Sequence, residues 1–225
     1  VCNVTYLSPF TQQRIHMTQS KKVDFFIFDL GNVIIDIDYS HTFQLLKELL
    51  DPDLHFKVDK FYLTDFHKAY EKGLINSDQF RVEVNTYFEQ DWSPEKVDEV
   101  WNSLLGKIPS YRMDLLKKLS QSHRIGILSN TNEIHIEAVN KLLQQDFGMD
   151  SFWEISDYVY YSHEMGLAKP SEEIYEEMLR RLQTTADRVV FFDDLAANVA
   201  GAKKVGIEAI QVTSPQVIID YFQHV

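Results

Sequence analysis

The feature of this sequence that most constrains its fold is an alternation of short apolar runs with segments of helical periodicity. Three stretches, residues 111–122, 131–147 and 171–183, place apolar side chains at three-to-four spacing, which predicts helices, and Ser171 is a candidate N-cap of the third. Because strands that are apolar on both faces need helices on both sides of the sheet, the pattern predicts a doubly wound parallel α/β fold. The apolar runs themselves have strand length and lie at residues 23–30, 124–130, 157–162, 188–194 and 206–212.

Residues 40–108 interrupt this alternation with helical patterns alone. A crossover between parallel strands needs only about a dozen residues, so an insertion of this length predicts a separate bundle of helices above the strand ends. We therefore expect a core domain made of residues 22–39 and 109–225 and a helical cap domain made of residues 40–108. The four predicted cap helices lie at residues 40–50, 53–73, 77–90 and 93–107.

The first 21 residues differ from the rest of the chain. They are rich in Ser, Thr and Gln, lack the apolar segment of a secretory signal, and contain Met17 shortly before the first apolar run. We expect residues 1–21 to be an N-terminal extension, either from an upstream start or as an added remnant. The alternative is an ordered arm that packs on the domain.

Composition excludes several classes of function. The formal net charge is −12 and Lys and Arg are not clustered, which argues against nucleic acid or an anionic membrane surface as a partner. An anionic substrate would need local positive charge. Cys2 is the single cysteine, so an internal disulfide or a thiolate metal cage is excluded, as is usual in a reducing cytoplasm, where we expect this protein. No apolar run approaches the roughly 20 residues that span a bilayer.

Polar residues stand where several of the predicted strands end. The carboxyl ends of parallel strands meet at one edge of the sheet, where ligands bind in doubly wound folds. Carboxylates gathered there repel one another unless a cation neutralises them, and Mg²⁺ takes one or two carboxylates and leaves its other positions to water and a substrate phosphate. The residues at this edge are Asp29, Ser129, Asn130, Lys169 (in the loop "GLAKP"), Asp193 and Asp194.

Four segments carry a family resemblance. In order and approximate spacing, "FDLGNV", "LSNTN", "AKP" and "FFDDLAAN" resemble the motifs of the haloacid dehalogenase superfamily over residues 22–213. Within it, the sequence resembles subfamily IA enzymes with a C1 cap, in particular bacterial phosphatases of the α-glucose-1-phosphate phosphatase type. The resemblance implies a Rossmann-like core and a Mg²⁺-dependent hydrolase that acts on a small phosphorylated substrate, a sugar phosphate.

The resemblance also implies roles for the residues that match the motifs. Asp29 would be the nucleophile that forms an aspartyl phosphate. The Ser129 hydroxyl and the backbone N–H groups of Leu30, Gly31 and Asn130 would bind phosphoryl oxygens. Lys169 would supply the positive charge that this acidic chain otherwise lacks.

The same resemblance implies a metal site. Asp194 would be the main Mg²⁺ ligand, with Asp193 binding directly or through water, together with Asp29 and the carbonyl of Gly31. Asn198 would orient the loop or a metal-bound water.

Gly31 departs from the superfamily pattern. Most of its phosphatases have at this position an Asp that protonates the leaving oxygen and later activates water. A sugar 1-phosphate would tolerate the loss, but dehalogenases also lack this Asp, so a 2-haloacid dehalogenase is the alternative enzyme. The Asp193–Asp194 pair and the Gly of the glucose-1-phosphatase-like relatives favour the phosphatase. A catalytically weak metabolite-binding protein is the non-enzymatic alternative. Asp36 and Asp38 are conceivable substitute acids, or residues of a turn or hairpin that leads into the cap.

Substrate choice is expected to lie in the cap loop at residues 70–76. Glu71 and Lys72 are candidates for substrate binding, and the alternative is an ordinary helix C-terminus that ends at Gly73. We expect His67 to be packed or exposed and not a metal ligand. The sequence leaves open whether the protein is a monomer or a dimer.

Overall fold

A five-stranded parallel sheet forms the centre of the protein. The computed structural model describes residues 23–223, so the N-terminal extension expected at residues 1–21 lies outside the described residues. The strands are β1 (Phe25–Phe28), β2 (Arg124–Ser129), β3 (Val159–Tyr161), β4 (Val189–Asp193) and β5 (Glu208–Gln211). Their order in the sheet is β3-β2-β1-β4-β5, and all neighbouring strands are parallel.

Alternate residues of the central strand face two different hydrophobic clusters. Phe26 and Phe28 pack in one cluster, and Phe25 and Ile27 pack in the other. The core helices are α6 (Ser110–Ser120), α7 (Glu133–Phe147), α8 (Ser162–Met165), α9 (Glu172–Leu182), α10 (Ala196–Lys204) and α11 (Pro215–Gln223). The first cluster is covered by α6, α7 and α11 and the second by α9 and α10, which confirms the doubly wound α/β fold. Ser171 occupies the N-cap position of α9, but its hydroxyl bonds the Glu173 carboxylate and not a backbone N–H.

The register of the sheet brings the strand ends together. Phe28 of β1 pairs with Ile127 of β2 and with Phe192 of β4. Asp29 and Asp193 each follow a residue of one such pair, and the backbone N–H of Asp29 still bonds the Phe192 carbonyl at 2.9 Å. The two carboxylates therefore lie on adjacent strands at the same level of the sheet.

The inserted helices have a hydrophobic cluster of their own. It contains Phe61, Tyr70, Phe80, Phe88 and Trp101, all nearly inaccessible to solvent. This cluster supports our interpretation of the insertion as a cap. Its helices are α1 (Tyr39–Leu49), α2 (His55–Val58), α3 (Asp65–Glu71), α4 (Ser77–Phe88) and α5 (Pro94–Asn102).

The prediction of a single helix over residues 53–73 is wrong. The segment is divided into two 3-10 turns, Pro52–Leu54 and Phe61–Leu63, and the helices α2 and α3. Thr64 causes the second break, because its extended backbone ends the preceding turn and its hydroxyl accepts a hydrogen bond from the backbone N–H of His67, which caps α3.

Two antiparallel segments join the cap to the core. The Asp36 N–H bonds the Lys107 carbonyl at 2.9 Å, the Gly106 N–H bonds the Asp36 carbonyl at 2.8 Å, and the Asp38 N–H bonds the Leu104 carbonyl at 2.8 Å. These paired segments hold the cap above the carboxyl ends of the strands. Within residues 23–223, no helix combines the length and apolar character that crossing a membrane requires.

Candidate active site

A buried ammonium lies between two carboxylates at the end of the sheet. Lys169 Nζ is 2.8 Å from Asp29 Oδ1 and 2.6 Å from Asp193 Oδ2, and it donates to the Leu128 carbonyl at 2.9 Å. The Lys169 side chain is 1% exposed, so all three of its donors are used inside the protein. The structure thus brings together three of the residues that the motifs predicted.

Burial and the charge of the oppositely charged partner shift the pKa values of Asp29 and Lys169 in opposite directions. Burial raises the pKa of Asp29 to about 6, even though the nearby Lys169 charge lowers it, and the Asp193 carboxylate raises it further. Burial alone would lower the pKa of Lys169, but the two carboxylates more than compensate and raise it. Lys169 therefore stays charged, and Asp29 is a carboxylate of raised basicity.

Asp193 is fully occupied by hydrogen bonds. Besides the Lys169 ammonium, its carboxylate accepts from the backbone N–H of Leu195 at 2.9 Å and from Asn198 Nδ2 at 3.0 and 3.1 Å, and its side chain is 0% exposed. Asn198 thus holds the carboxylate of Asp193, in the loop that it was expected to orient.

Asp194 has a different environment from its neighbour. It lines the cavity described below and accepts one side-chain hydrogen bond, from Asn32 Nδ2 at 3.0 Å. Partial burial raises the pKa of Asp194, and the bond from Asn32 counteracts part of the effect. The Asp194 carboxylate is therefore directed at the space where a ligand would lie.

Asn32, which was not among the predicted site residues, positions Asp194. The backbone of Asn32 is left-handed (φ 54°), and its side-chain oxygen accepts from the Ile37 N–H at 3.0 Å while its amide nitrogen holds Asp194. Asn tolerates this conformation better than most residues. An Asn directly after Gly at the end of a buried strand was the available signal.

The three aspartates fit a divalent cation. Asp29, Asp193 and Asp194 each offer a carboxylate oxygen, and these atoms lie within 4.8 Å of one another. Oxygen donors of this kind suit a hard ion such as Mg²⁺. Asp29 and Asp194 have oxygen lone pairs available for such an ion, whereas the oxygens of Asp193 already accept from Lys169, Leu195 and Asn198.

Ser129 is the last residue of β2 and Asn130 follows it, and both line the same cavity. Asn130 has an additional contact that the sequence did not indicate: its Nδ2 donates to the Lys169 carbonyl at 2.9 Å, and its Oδ1 accepts from the Lys169 N–H at 2.8 Å. This reciprocal pair fixes the backbone of Lys169, and so it helps to place the ammonium between the two aspartates.

Residues of the core and of the cap together line a cavity of about 410 Å³. The core supplies its base and the cap supplies aromatic walls, and burial lowers the pKa of the cap residue His67 to about 4. As expected, His67 is a packed residue. From the predicted site the lining includes Asp29, Leu30, Gly31, Glu71, Ser129, Asn130, Lys169 and Asp194, and from the cap walls it includes Tyr39, Tyr62, His67 and Trp101.

Only one of the two cap candidates reaches this cavity. Glu71 lines it with a side chain that is 26% exposed, and burial raises the pKa of its carboxyl to about 7. Lys72 is exposed and lies outside the lining, so its expected part in substrate binding needs correction. Lys72 follows the last residue of α3, which agrees with the alternative expectation of an ordinary helix C-terminus.

The match to a family model decides what kind of protein this is. The model of haloacid dehalogenase-like hydrolases matches residues 23–206. The chain belongs to this family. The hydrolase is 25% identical over 187 residues to the D-ribitol-5-phosphate phosphatase of Bacteroides thetaiotaomicron, a match that covers 82% of this chain and 89% of the relative. It is 29% identical over 192 residues to a phosphorylated carbohydrates phosphatase of Thermotoga maritima, and this match covers 82% of each of the two proteins.

A solved structure resembles the hydrolase in fold as well as in sequence. It is a haloacid dehalogenase family enzyme of Bacteroides thetaiotaomicron in complex with magnesium and inorganic phosphate. The match has a TM-score of 0.77 and 30% sequence identity, and it covers 84% of this chain and 93% of the other.

The two aspartates considered as substitute acids serve other purposes in this hydrolase. Asp36 Oδ1 lies 2.8 Å from Arg112 Nη1, and the Asp38 carboxylate caps α1 by accepting from the N–H groups of Ser40 and His41. The Ser40 hydroxyl and these backbone bonds lower the pKa of Asp38. Neither residue lines the cavity, so both belong to the segment that leads into the cap, as the alternative interpretation expected.

The cap loop that carries Glu71 rests on the core. The Ser162 hydroxyl donates to the Glu71 carbonyl at 2.6 Å, and Ser162 Oγ accepts from the Thr131 N–H at 2.9 Å. Gly73 has a positive φ of 64°, and a Cβ added to it would lie 2.1 Å from the His163 carbonyl oxygen. Close approach of two backbones therefore fixes this loop above the sheet.

We predict that Gly73→Ala destabilises the hydrolase more than Gly148→Ala. Both glycines have a positive φ, of 64° and 67°, so both variants carry the left-handed strain of about 1 kcal/mol, but a Cβ at Gly148 meets nothing within 4 Å. Urea unfolding should show an additional loss of about 1–3 kcal/mol for Gly73→Ala. Equal losses in the two variants would mean that the contact with His163 does not hold the loop.

Proposed function

We propose that this hydrolase is a Mg²⁺-dependent phosphomonoesterase that acts on a small phosphorylated metabolite, a sugar phosphate, through an aspartyl-phosphate intermediate. The observation that carries the proposal is the position of Asp29, a carboxylate of raised pKa held 2.8 Å from a buried ammonium at the base of the cavity between core and cap. The named activities of the relatives, ribitol-5-phosphate and phosphorylated carbohydrate phosphatases, support this substrate class.

The residues at the strand ends divide the work of the first step. An Asp29 oxygen attacks phosphorus in line with the leaving oxygen, so a bond from carboxylate to phosphorus forms as the ester bond breaks. The Lys169 ammonium and the Ser129 hydroxyl stabilise the negative charge of the phosphoryl oxygens, together with the backbone N–H groups of Leu30 and Gly31. Water then attacks the same phosphorus and releases Asp29.

Asp29, Asp194 and the Gly31 carbonyl would hold the cation, with Asp193 acting through water. The hydrogen bonds that occupy both Asp193 oxygens support this division. When bound, Mg²⁺ neutralises part of the charge shared by the aspartates and the phosphoryl group.

The cavity suits a small substrate with both polar and apolar faces. Its volume of about 410 Å³ accommodates a sugar or polyol phosphate, and its cap walls include the rings of Tyr39, Tyr62 and Trp101. Aromatic faces pack against the C–H face of a sugar, while the Glu71 carboxyl can contact a hydroxyl.

Phosphate release from a panel of sugar and polyol phosphates tests the proposal. We expect turnover with Mg²⁺ and a loss of at least about 100-fold when a chelator removes it, restored by added Mg²⁺. The panel should include ribitol 5-phosphate and glucose 1-phosphate, each assayed for free phosphate.

The alternatives give different results in the same set of assays. Chloride release from 2-haloacids that needs no Mg²⁺ would identify a dehalogenase. A sugar phosphate that raises the melting temperature without being hydrolysed would identify a metabolite-binding protein.

A further inference from the structure

The site must supply a proton that Gly31 cannot provide. When an ordinary sugar or polyol ester breaks, the leaving oxygen is an alkoxide, which is far too basic to depart unprotonated at an appreciable rate. A group that lines the cavity and can hold a proton near neutral pH is therefore needed.

Most titratable residues of the cavity are unsuitable. Burial lowers the pKa of His67 to about 4 and that of His135 to about 3, so neither is an imidazolium at neutral pH. Burial raises the pKa of Tyr39 to about 12, which makes the phenol a weak acid. Among the described residues that line the cavity, the carboxyl groups are those of Asp29, Asp194 and Glu71. Asp29 is the nucleophile and Asp194 lies at the metal site.

Glu71 has the position that a proton donor requires. It ends α3 in the cap and lines the same cavity as Asp29, and the bond from Ser162 to its carbonyl fixes its backbone. Among residues 23–223, the basic group that contacts its carboxylate is His67 Nε2 at 3.7 Å, on a ring that is neutral at pH 7. Within these described residues, the Glu71 carboxyl therefore has no cationic partner in contact with it.

The charges around Glu71 suit both protonation states. Burial is the main cause of the raised pKa of Glu71, which is about 7. From the base of the cavity, the Lys169 charge opposes this rise and the Asp29 charge adds to it. A group with such a pKa exchanges a proton readily at neutral pH.

We propose that the Glu71 carboxyl, supplied by the cap, is the general acid and base of this site and takes the place of the side chain that Gly31 lacks. In the first step, the Asp29–phosphorus bond forms, the phosphorus–oxygen ester bond breaks, and the proton of Glu71 passes to the leaving oxygen to give the alcohol. In the second step, the Glu71 carboxylate takes a proton from water, whose oxygen attacks phosphorus and displaces Asp29. The products are the alcohol and inorganic phosphate, and Glu71 is protonated again. This inference rests on the proposed phosphatase function.

Leaving groups of different basicity test the inference. For Glu71→Gln we expect kcat/KM to fall by at least about 100-fold for a polyol phosphate such as ribitol 5-phosphate, since its alkoxide needs the proton. For p-nitrophenyl phosphate, whose phenolate leaves without one, kcat/KM should fall by less than about 10-fold. Slow hydrolysis of the aspartyl phosphate should also produce a burst of one equivalent of p-nitrophenolate per site.

The control variant is Lys68→Gln, on the same helix with a side chain that is 59% exposed. It should keep both activities and the parent melting temperature. An equal fall in kcat/KM for both esters in Glu71→Gln, or no fall for either, would overturn the assignment of Glu71. If the parent protein hydrolyses neither ester with Mg²⁺, the phosphatase function itself is overturned, and the inference with it.

Discussion

Replacing Asp29 by Asn is expected to abolish phosphate release from every substrate of the panel, including p-nitrophenyl phosphate. The amide cannot form the covalent phosphoryl intermediate, and the loss should reach at least about 10⁴-fold in kcat, as for removal of a nucleophile in other hydrolases. The uniform loss distinguishes Asp29→Asn from Glu71→Gln, whose effect should depend on the leaving group.

Reduced stability of the folded protein should not explain the loss of phosphate release in Asp29→Asn. The pKa of Asp29 is raised from 3.8 to about 6 in the folded protein, so the folded state holds this proton more tightly than the unfolded state does. The free energy of unfolding of the parent therefore decreases as pH rises through the range between these two pKa values. The neutral amide has no such cost, and above pH 6 we expect the variant to be at least as stable as the parent in urea unfolding. Asp65→Asn, at a side chain that is fully exposed, is the matched control and should keep full activity. Residual turnover in Asp29→Asn above about 1% would contradict the role of Asp29.

The strand ends were the part of the site that the sequence predicted best. The carboxyl ends of parallel strands share one edge, so Asp29, Ser129 and Asp193 had to meet once the strands were recognised. The register of β1 with β2 and β4 confirms this, although each strand is shorter than its apolar run. Lys169 was harder to place, because a loop lysine is usually solvated, and only the motif "AKP" indicated its position.

The contacts made by amide side chains were not predictable. Asn32 acts through one hydrogen bond to Asp194 and Asn130 acts through two to the Lys169 backbone, and these bonds depend on loop geometry that no periodicity encodes. The hydrogen bonds that occupy Asp193 have the same origin. Similarly, the sequence could not decide between Glu71 and Lys72, because adjacent residues at a helix end face different directions and the facing surface comes from the core.

Lys169→Met is expected to have the largest effect on folding. Its ammonium is the cation in contact with both Asp29 and Asp193, and removing one partner of a buried ion pair typically costs about 3–5 kcal/mol. Met has a similar length, so the loss should reflect charge more than a cavity. Urea unfolding in the presence of a chelator measures the effect, and Lys204→Met, at a side chain that is 66% exposed, should change stability by less than about 1 kcal/mol.

The pH dependence of this deficit identifies its cause. Without Lys169 the buried Asp29 carboxyl loses its cationic partner, so its pKa in the folded state rises further above the ordinary value of 3.8 that it has in the unfolded chain. Stability relative to the parent should then be greatest at low pH and decrease as pH rises from this ordinary value through the raised pKa of Asp29. Adding Asp193→Asn to Lys169→Met removes one uncompensated charge and should recover part of the loss at pH 8. A deficit that is the same at pH 5 and pH 8, and that Asp193→Asn does not reduce, would mean that Lys169 supports the fold by packing alone and not by neutralising the aspartates.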